Sequence, residues 1–177
     1  SSAASDVYKR QGSLDGNVSA IKVSPFTTDS STIFVGTESG SVFKVTNADT
    51  ADANDNSTAN WSNITGSQFL GSVSDIEFGK DENHLFVTFH NYGVENIFYS
   101  EDGGQSWTEK EGNLPDIPVR CILQNPLSLN EVIIGTELGV WYTKNFESDN
   151  PDWSRANSGM SDVRICLLYT SDAADDL

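Results

Sequence analysis

The sequence predicts an all-β chain, an arc of about three four-stranded blades cut from a β-propeller, and three recurrences predict it. Trp61, Trp107 and Trp153 stand at an even spacing of 46 residues, and each is followed by Ser or Thr. The stretch Val18-Ser19-Ala20-Ile21-Lys22-Val23-Ser24-Pro25 resembles Val119-Arg120-Cys121-Ile122-Leu123-Gln124-Asn125-Pro126. The run Ile33-Phe34-Val35-Gly36-Thr37-Glu38 returns as Ile133-Ile134-Gly135-Thr136-Glu137. Anchors that recur in one order at a fixed period mark a repeat architecture. A β-sandwich also uses many short strands, but it gives no reason for the same tryptophan, glycine and valine to return in sequence.

The elements follow in order within each unit. Residues 18–23 and 73–78 alternate apolar and polar side chains, the period-2 pattern of a half-buried first strand. Residues 33–35, 85–89 and 132–134 are short β-branched or aromatic runs, suited to a second strand buried on both faces. A third strand is expected at 42–45, 97–99 and 140–142, reached through glycine-containing turns. The tryptophan-led stretches 61–64, 107–110 and 153–156 supply the fourth. No stretch reads as a helix. The expected blades are 12–66, 67–112 and 113–157, with the start of another at 158–165, where Val163-Arg164-Ile165 falls in the register of a first strand. Closed propellers carry about 4–8 blades, so the expected arc is open and its missing blades are its first expected partner. Uncovered sheet faces and edges drive self-association, opposed by like charge that salt screens.

Both ends read as foreign to this pattern. A single DNA word encodes Ser1 to Gln11, and its reverse complement, shifted by one base, encodes Cys166 to Asp176. Residues 1–11 and 166–177 therefore resemble translated sequencing adapter, and the expected native segment is 12–165. Charge then bounds the function. The 177 residues carry 26 Asp and Glu against 10 Lys and Arg, a net charge of −16. Such a surface repels phosphate backbones, so no nucleic-acid partner is expected. The apolar runs are far shorter than the ~20 residues of a membrane span, so no membrane insertion is expected either.

The sharpest motif is Ser100-Glu101-Asp102-Gly103-Gly104-Gln105-Ser106-Trp107. Asp102 suits an Asx-type closure of its own turn, and Gly104 suits positive φ. Ser100 and Ser106 add local hydrogen bonds, and Trp107 buries a large ring. The octapeptide resembles the Asp-box of the bacterial neuraminidase repeat. With Gly112-Asn113-Leu114-Pro115 and Gly139-Val140-Trp141-Tyr142, the chain is similar to Asp-box propellers of exported bacterial proteins, xyloglucanase-like and sortilin-like ones among them. That resemblance implies a secreted or cell-surface protein in which Ser100, Asp102, Gly104, Ser106 and Trp107 form a folding element. Trp61, Trp153, Gly36 and Gly135 are then repeat-core positions. The first and third units are expected to have lost the box: the third has Thr143 and Asn145, with extra residues before Trp153.

No catalytic residue is singled out. A sialidase-like arginine clamp would draw on Arg120, Arg155 and Arg164, but Arg120 and Arg164 sit at equivalent repeat positions. A glycoside hydrolase would use two carboxylates; Asp75 and Asp162 lie near blade starts without a distinguishing motif. The acidic insertion 47–56, with Asp49, Asp52 and Asp55, offers oxygen ligands for Ca²⁺ but lacks the spacing of an EF-hand loop, so no metal or cofactor is expected. His84 and His90 stand alone, and Cys121 reads as a small core residue. The expected role is a non-catalytic segment binding a polysaccharide or protein ligand; the alternative is part of a xyloglucanase-like glycoside hydrolase whose catalytic residues lie elsewhere.

Overall fold

Twelve short strands form three antiparallel four-stranded sheets in a computed structural model that describes residues 14–50 and 59–156. The first sheet holds β1 (Val18–Val23), β2 (Ile33–Thr37), β3 (Val42–Thr46) and β4 (Asn60–Asn63). The second holds β5 (Val73–Phe78), β6 (Leu85–Phe89), β7 (Ile97–Ser100) and β8 (Thr108–Glu109). The third holds β9 (Val119–Asn125), β10 (Ser128–Thr136), β11 (Gly139–Thr143) and β12 (Ser154–Arg155). Each sheet pairs its strands in chain order, which is the blade of a β-propeller. The sole helical element among the described residues is a 3₁₀ turn, Ala48–Thr50, and no described helix is long and apolar enough to cross a membrane. The adapter-like ends and the Val163-Arg164-Ile165 stretch lie outside the described residues.

The three blades agree in detail beyond their tryptophans. Every first strand carries a bulge at its second residue, so that Ser19, Ser74 and Arg120 are skipped in the pairing with the second strand. The backbone N–H of Glu38, His90 and Glu137 donates to the carbonyl of Asn17, Ser72 and Pro118, closing the same end of each blade. At the other end the N–H of Ala48, Gly103 and Phe146 donates to the carbonyl of Ser31, Asn83 and Asn130. The same local chain path is thus held three times by backbone bonds that any sequence can make.

Side-chain size then sets how the blades meet. The first seam places β1 and β2 against β5, and the second places β5 and β6 against β9. Phe34 and Val42 of the first blade join Val73, Ile76, Leu85, Val87, Phe89 and Phe98 of the second in one core. Phe86 and Ile97 of the second join Ile122, Val132, Ile134 and Trp153 of the third in another. Gly36 lets the first pair approach: a Cβ there would lie 2.5 Å from the Val73 side chain. Gly135 holds the same register position in the third blade, between Cys121 and Val140. The second blade has Thr88 there, whose hydroxyl lies 2.8 Å from that of Ser74.

Cross-blade polar contacts differ between the seams. At the first, Lys22 pairs with Glu77 (2.6 Å) and Lys44 with Glu82 (2.7 Å). Burial alone would raise Glu82, but Lys44, Ser24 and Thr27 together hold it below its ordinary value. At the second, Ser74 Oγ donates to the Val119 carbonyl (2.7 Å) and the Ile122 N–H donates to Asp75 (3.1 Å). Burial pushes Asp75 up to about 6 against the help of that N–H.

A folded-state pKa above the unfolded one means that the fold holds the proton more tightly. Stability linked to Asp75 is therefore full below the ordinary carboxylate value and lost as pH rises through about 6. Asp75→Asn keeps an acceptor for Ile122 and removes the charge. It is expected to stabilise the chain by about 1–3 kcal/mol at pH 7.5 and to flatten the loss of stability between pH 4 and 6. Urea melts from pH 4 to 7.5 check both; an unchanged slope would refute the assignment.

One alternation runs against expectation. In β1 the apolar Ile21 and Val23 face away from the second blade and stand 53% and 60% exposed, while Ala20 and Lys22 face it. The period is as predicted, but the buried side is not, because β1 lies at the end of the arc.

Candidate functional site

The turn between β7 and β8 is closed by its own side chains. Ser100 Oγ donates to Asp102 Oδ1 (2.8 Å) and accepts the Gly104 N–H (2.8 Å). Asp102 accepts the Ser106 N–H on Oδ1 (2.9 Å) and the Ser106 hydroxyl on Oδ2 (2.6 Å). The Ser106 hydroxyl first, then its N–H and Ser100, draw Asp102 down to about 2. Gly103 and Gly104 take φ of 74° and 89°, and a Cβ on Gly104 would strike Ile64 at 2.9 Å. Trp107 donates its indole N–H to the Ile64 carbonyl of the preceding blade (2.8 Å) and rests on Phe69. Each of these polar groups has a partner within the chain.

The third unit has not lost this arrangement, contrary to expectation. Thr143 Oγ1 donates to Asn145 Oδ1 (2.8 Å), and Asn145 Oδ1 accepts the Asp152 N–H (2.9 Å) just before Trp153. The Trp153 indole donates to the Lys110 carbonyl (3.1 Å), again 43 residues back and in the preceding blade. Thr and Asn supply the same acceptors in the same places, which a literal motif overlooks. In the first unit Asn47 adopts φ 55°, and Asp49 accepts the Ser31 N–H (2.9 Å). Asp52 and Asp55 lie outside the described residues. Trp61 is half-buried beside Phe43, 6.2 Å between ring centroids.

The third blade supplies a test for the second. Asp102→Asn keeps the acceptor that Asn145 provides and is expected to melt close to the parent at neutral pH; Asp102→Ala is expected to melt clearly lower. A depressed folded pKa gives stability present above the ordinary carboxylate range and lost as pH falls toward about 2. The parent, level with Asp102→Asn at neutral pH, should therefore melt below it in acid. Thermal melts at pH 7 and pH 2.5 read both, and equal melting of the Ala and Asn variants would refute the role.

Among the described residues, three carboxylates converge where β8 runs into the third blade. Glu95, Glu109 and Glu111 bring carboxylate oxygens within 4.8 Å of one another, a spacing that could share one cation or one proton. They line a cleft of about 400 Å³ with Asp116 and Leu114, and no basic side chain lines it. Glu111 is buried and accepts the Asn96 N–H (2.7 Å), while its own N–H donates to the Glu109 carboxylate. Burial pushes Glu111 up to about 7, opposed by the Asn96 N–H and reinforced by Glu95 and Glu109. Glu95 is raised by burial and by Glu109 and Asp116. Asp116 holds the Gly93 N–H (2.7 Å), fixing one wall.

The sequence offered one faint signal for this cleft. Glu109 and Glu111 are two apart at the end of a fourth strand, and alternate residues of an extended chain point to one side. Glu95 joins them only through the β6–β7 loop, which spacing does not place.

Other candidates are otherwise engaged. Arg120 donates to Glu137 of its own blade, and His90 Nε2 donates to the same carboxylate (2.6 Å). That group is a closed charge cluster and not an arginine clamp; Arg155 lies in β12, and Arg164 and Asp162 lie outside the described residues. His84 Nδ1 contacts Asp81 Oδ1 (2.6 Å), which helps hold Asp81 below its ordinary value. Cys121 is buried.

No protein-family model matches the chain, and no curated protein does. Solved β-propellers do. YCF48 from Cyanidioschyzon merolae superposes with a TM-score of 0.55 at 16% identity, over 76% of this chain and 39% of that one. An ancestral GH74 enzyme matches at TM-score 0.53 and 22% identity, over 79% of this chain and 19% of its own. The GH74 xyloglucanase from Xanthomonas campestris matches at TM-score 0.51 and 12% identity, over 75% of this chain and 21% of its own. The chain spans less than two-fifths of the length of each. At such identities the likeness is one of fold: the chain is an arc of β-propeller blades.

Proposed function

We propose that the chain is a non-catalytic binding module of an exported Asp-box propeller, with the cleft of Glu95, Glu109, Glu111 and Asp116 as its ligand site. The observation that carries the binding reading is the convergence of acids without a base. Glu95, Glu109 and Glu111 bring carboxylate oxygens within 4.8 Å of one another in a cleft that no basic side chain lines, which leaves their acceptor oxygens for a ligand's donors. In the Asp-box, Asp102 is spent on Ser100 and Ser106, which supports a folding role. The ligand is a polysaccharide or a protein segment whose hydroxyl, amide or cationic groups meet the carboxylates. Export rests on the Asp-box resemblance.

A second reading has one observation in its favour. Glu111 sits at about 7, where a general acid works best at neutral pH, and the fold is shared with GH74 enzymes. In that reading the chain is part of a glycoside hydrolase. Xyloglucan and cello-oligosaccharides, assayed on the same samples by calorimetry and by reducing-end release, separate the two. The expected result is no reducing-end release, with any ligand bound at least about tenfold more weakly by Glu111→Gln. Hydrolysis that Glu111→Gln abolishes would replace the first reading with the second.

A further inference from the structure

The two ends of the arc carry the two halves of one repeated seam. Within the chain, the first strand of a blade presents its outward face to the blade before it, through Ile76 and Phe78 at the first seam and Ile122 at the second. Those residues are 1%, 8% and 1% exposed. Ile21 and Val23 hold the same register positions, opposite Val35 and Ile33 as Ile76 and Phe78 are opposite Val87 and Leu85, yet they stand 53% and 60% exposed. The second strand of a blade presents the other face to the blade after it, through Phe34 and Phe86, both fully buried. Ile133 holds that position in the third blade, opposite Leu123 as Phe86 is opposite Glu77, and stands 43% exposed.

The open strips lie on the strands that make seams. Ile33, Val35 and Val45, farther out on the first blade's face, already pack with Ala48, Ala59 and Trp61. The later blade of each seam docks through its first strand, β5 or β9, so this cover over β2 and β3 leaves the strip on β1 open.

We propose that a second copy of this chain is the occupant: β9 and β10 of one copy pack against β1 of the other, head to tail, and two such contacts close the pair into a ring. The contact continues the seam that the chain already makes twice, Ile133 taking the place of Phe34 and Phe86, and Ile21 and Val23 that of Ile76 and Phe78. It is heterologous, so it closes only if the rotation per blade completes a circle. Six blades lie within the range of closed propellers, about 4–8. A net charge of −16 per copy opposes the contact until salt screens it, over ~10 Å at 0.1 M.

Sedimentation of the full chain at 0.5 M NaCl tests the proposal with uncharged substitutions at exposed positions, which leave the cores intact. The parent is expected to be dimeric. Ile21→Asn alone and Ile133→Asn alone are each expected to weaken self-pairing at least about tenfold, and an equimolar mixture of the two to regain pairing, since each retains the strip that the other has lost. Far-ultraviolet circular dichroism confirms that both variants fold. A parent that stays monomeric at every concentration, as it would if another chain or further blades fill these faces, overturns the proposal. So does an Ile21→Asn variant that dimerises like the parent, a mixture that stays monomeric, or an open ladder of growing species.

Discussion

Trp153→Ala is expected to destabilise the chain by about 3–5 kcal/mol, the range for removing a buried large aromatic. Trp153 is 3% exposed and belongs to the core of the second seam, with Phe146 6.5 Å away between ring centroids. Its loss leaves a cavity between blades and an unanswered carbonyl at Lys110, to which the indole donates. Trp153→Phe separates the two effects, keeping much of the ring and losing the hydrogen bond, at a cost of about 1 kcal/mol beyond the lost volume. Trp107→Ala makes the matching hole at the first seam, but Trp107 is only half-buried, so its cost is expected to be smaller. Urea melts of the three variants rank them; a Trp107 effect equal to that of Trp153 would contradict the seam picture.

Gly112→Ala is expected to be the most damaging single-methyl change, at about 2–5 kcal/mol from left-handed backbone and overpacking together. Gly112 has φ 53°, and a Cβ there would lie 1.9 Å from the Pro151 carbonyl oxygen. The neighbour is backbone, tied in by the Asn113 N–H bond to that carbonyl and by the Trp153 N–H bond to Asn113 Oδ1 (2.5 Å). Relief therefore requires the second and third blades to part. Gly93→Ala is the control: φ is 73°, but nothing lies within 4 Å of the added Cβ, so only the backbone strain of about 1–2 kcal/mol remains. Equal effects at the two positions would show that the Pro151 contact does not matter.

The contrast between what the sequence foretells and what it hides follows from the range of the interactions. Blade organisation is legible because each blade is local: a strand period of 2, a glycine turn and a tryptophan all fall within about 45 residues, the scale of a propeller blade. The box in the third blade is hidden because Thr143 and Asn145 preserve acceptors and not letters. The acidic cleft is hidden for another reason. Glu95 and Glu111 come together through the pairing of β7 with β8, and no spacing rule separates that pair from the many other acids of a strongly acidic chain. The outward turn of Ile21 is likewise invisible, since alternation gives two faces and only the neighbouring blade decides which is buried.

The turn before each inner tryptophan has a practical consequence. In the second blade Asp102 reaches the Ser106 N–H across four residues; in the third Asn145 reaches the Asp152 N–H across seven. Both tryptophans arrive at the same carbonyl position of the preceding blade. The acceptor side chain and the indole act as two clamps, and the span between them varies in length without moving either. That makes the exposed residues 147–150, between the buried Phe146 and the seam-bound Pro151, a grafting port: foreign peptides spliced there are displayed from fixed stems, with the β-sheet register behind them insulated from the length of the cargo.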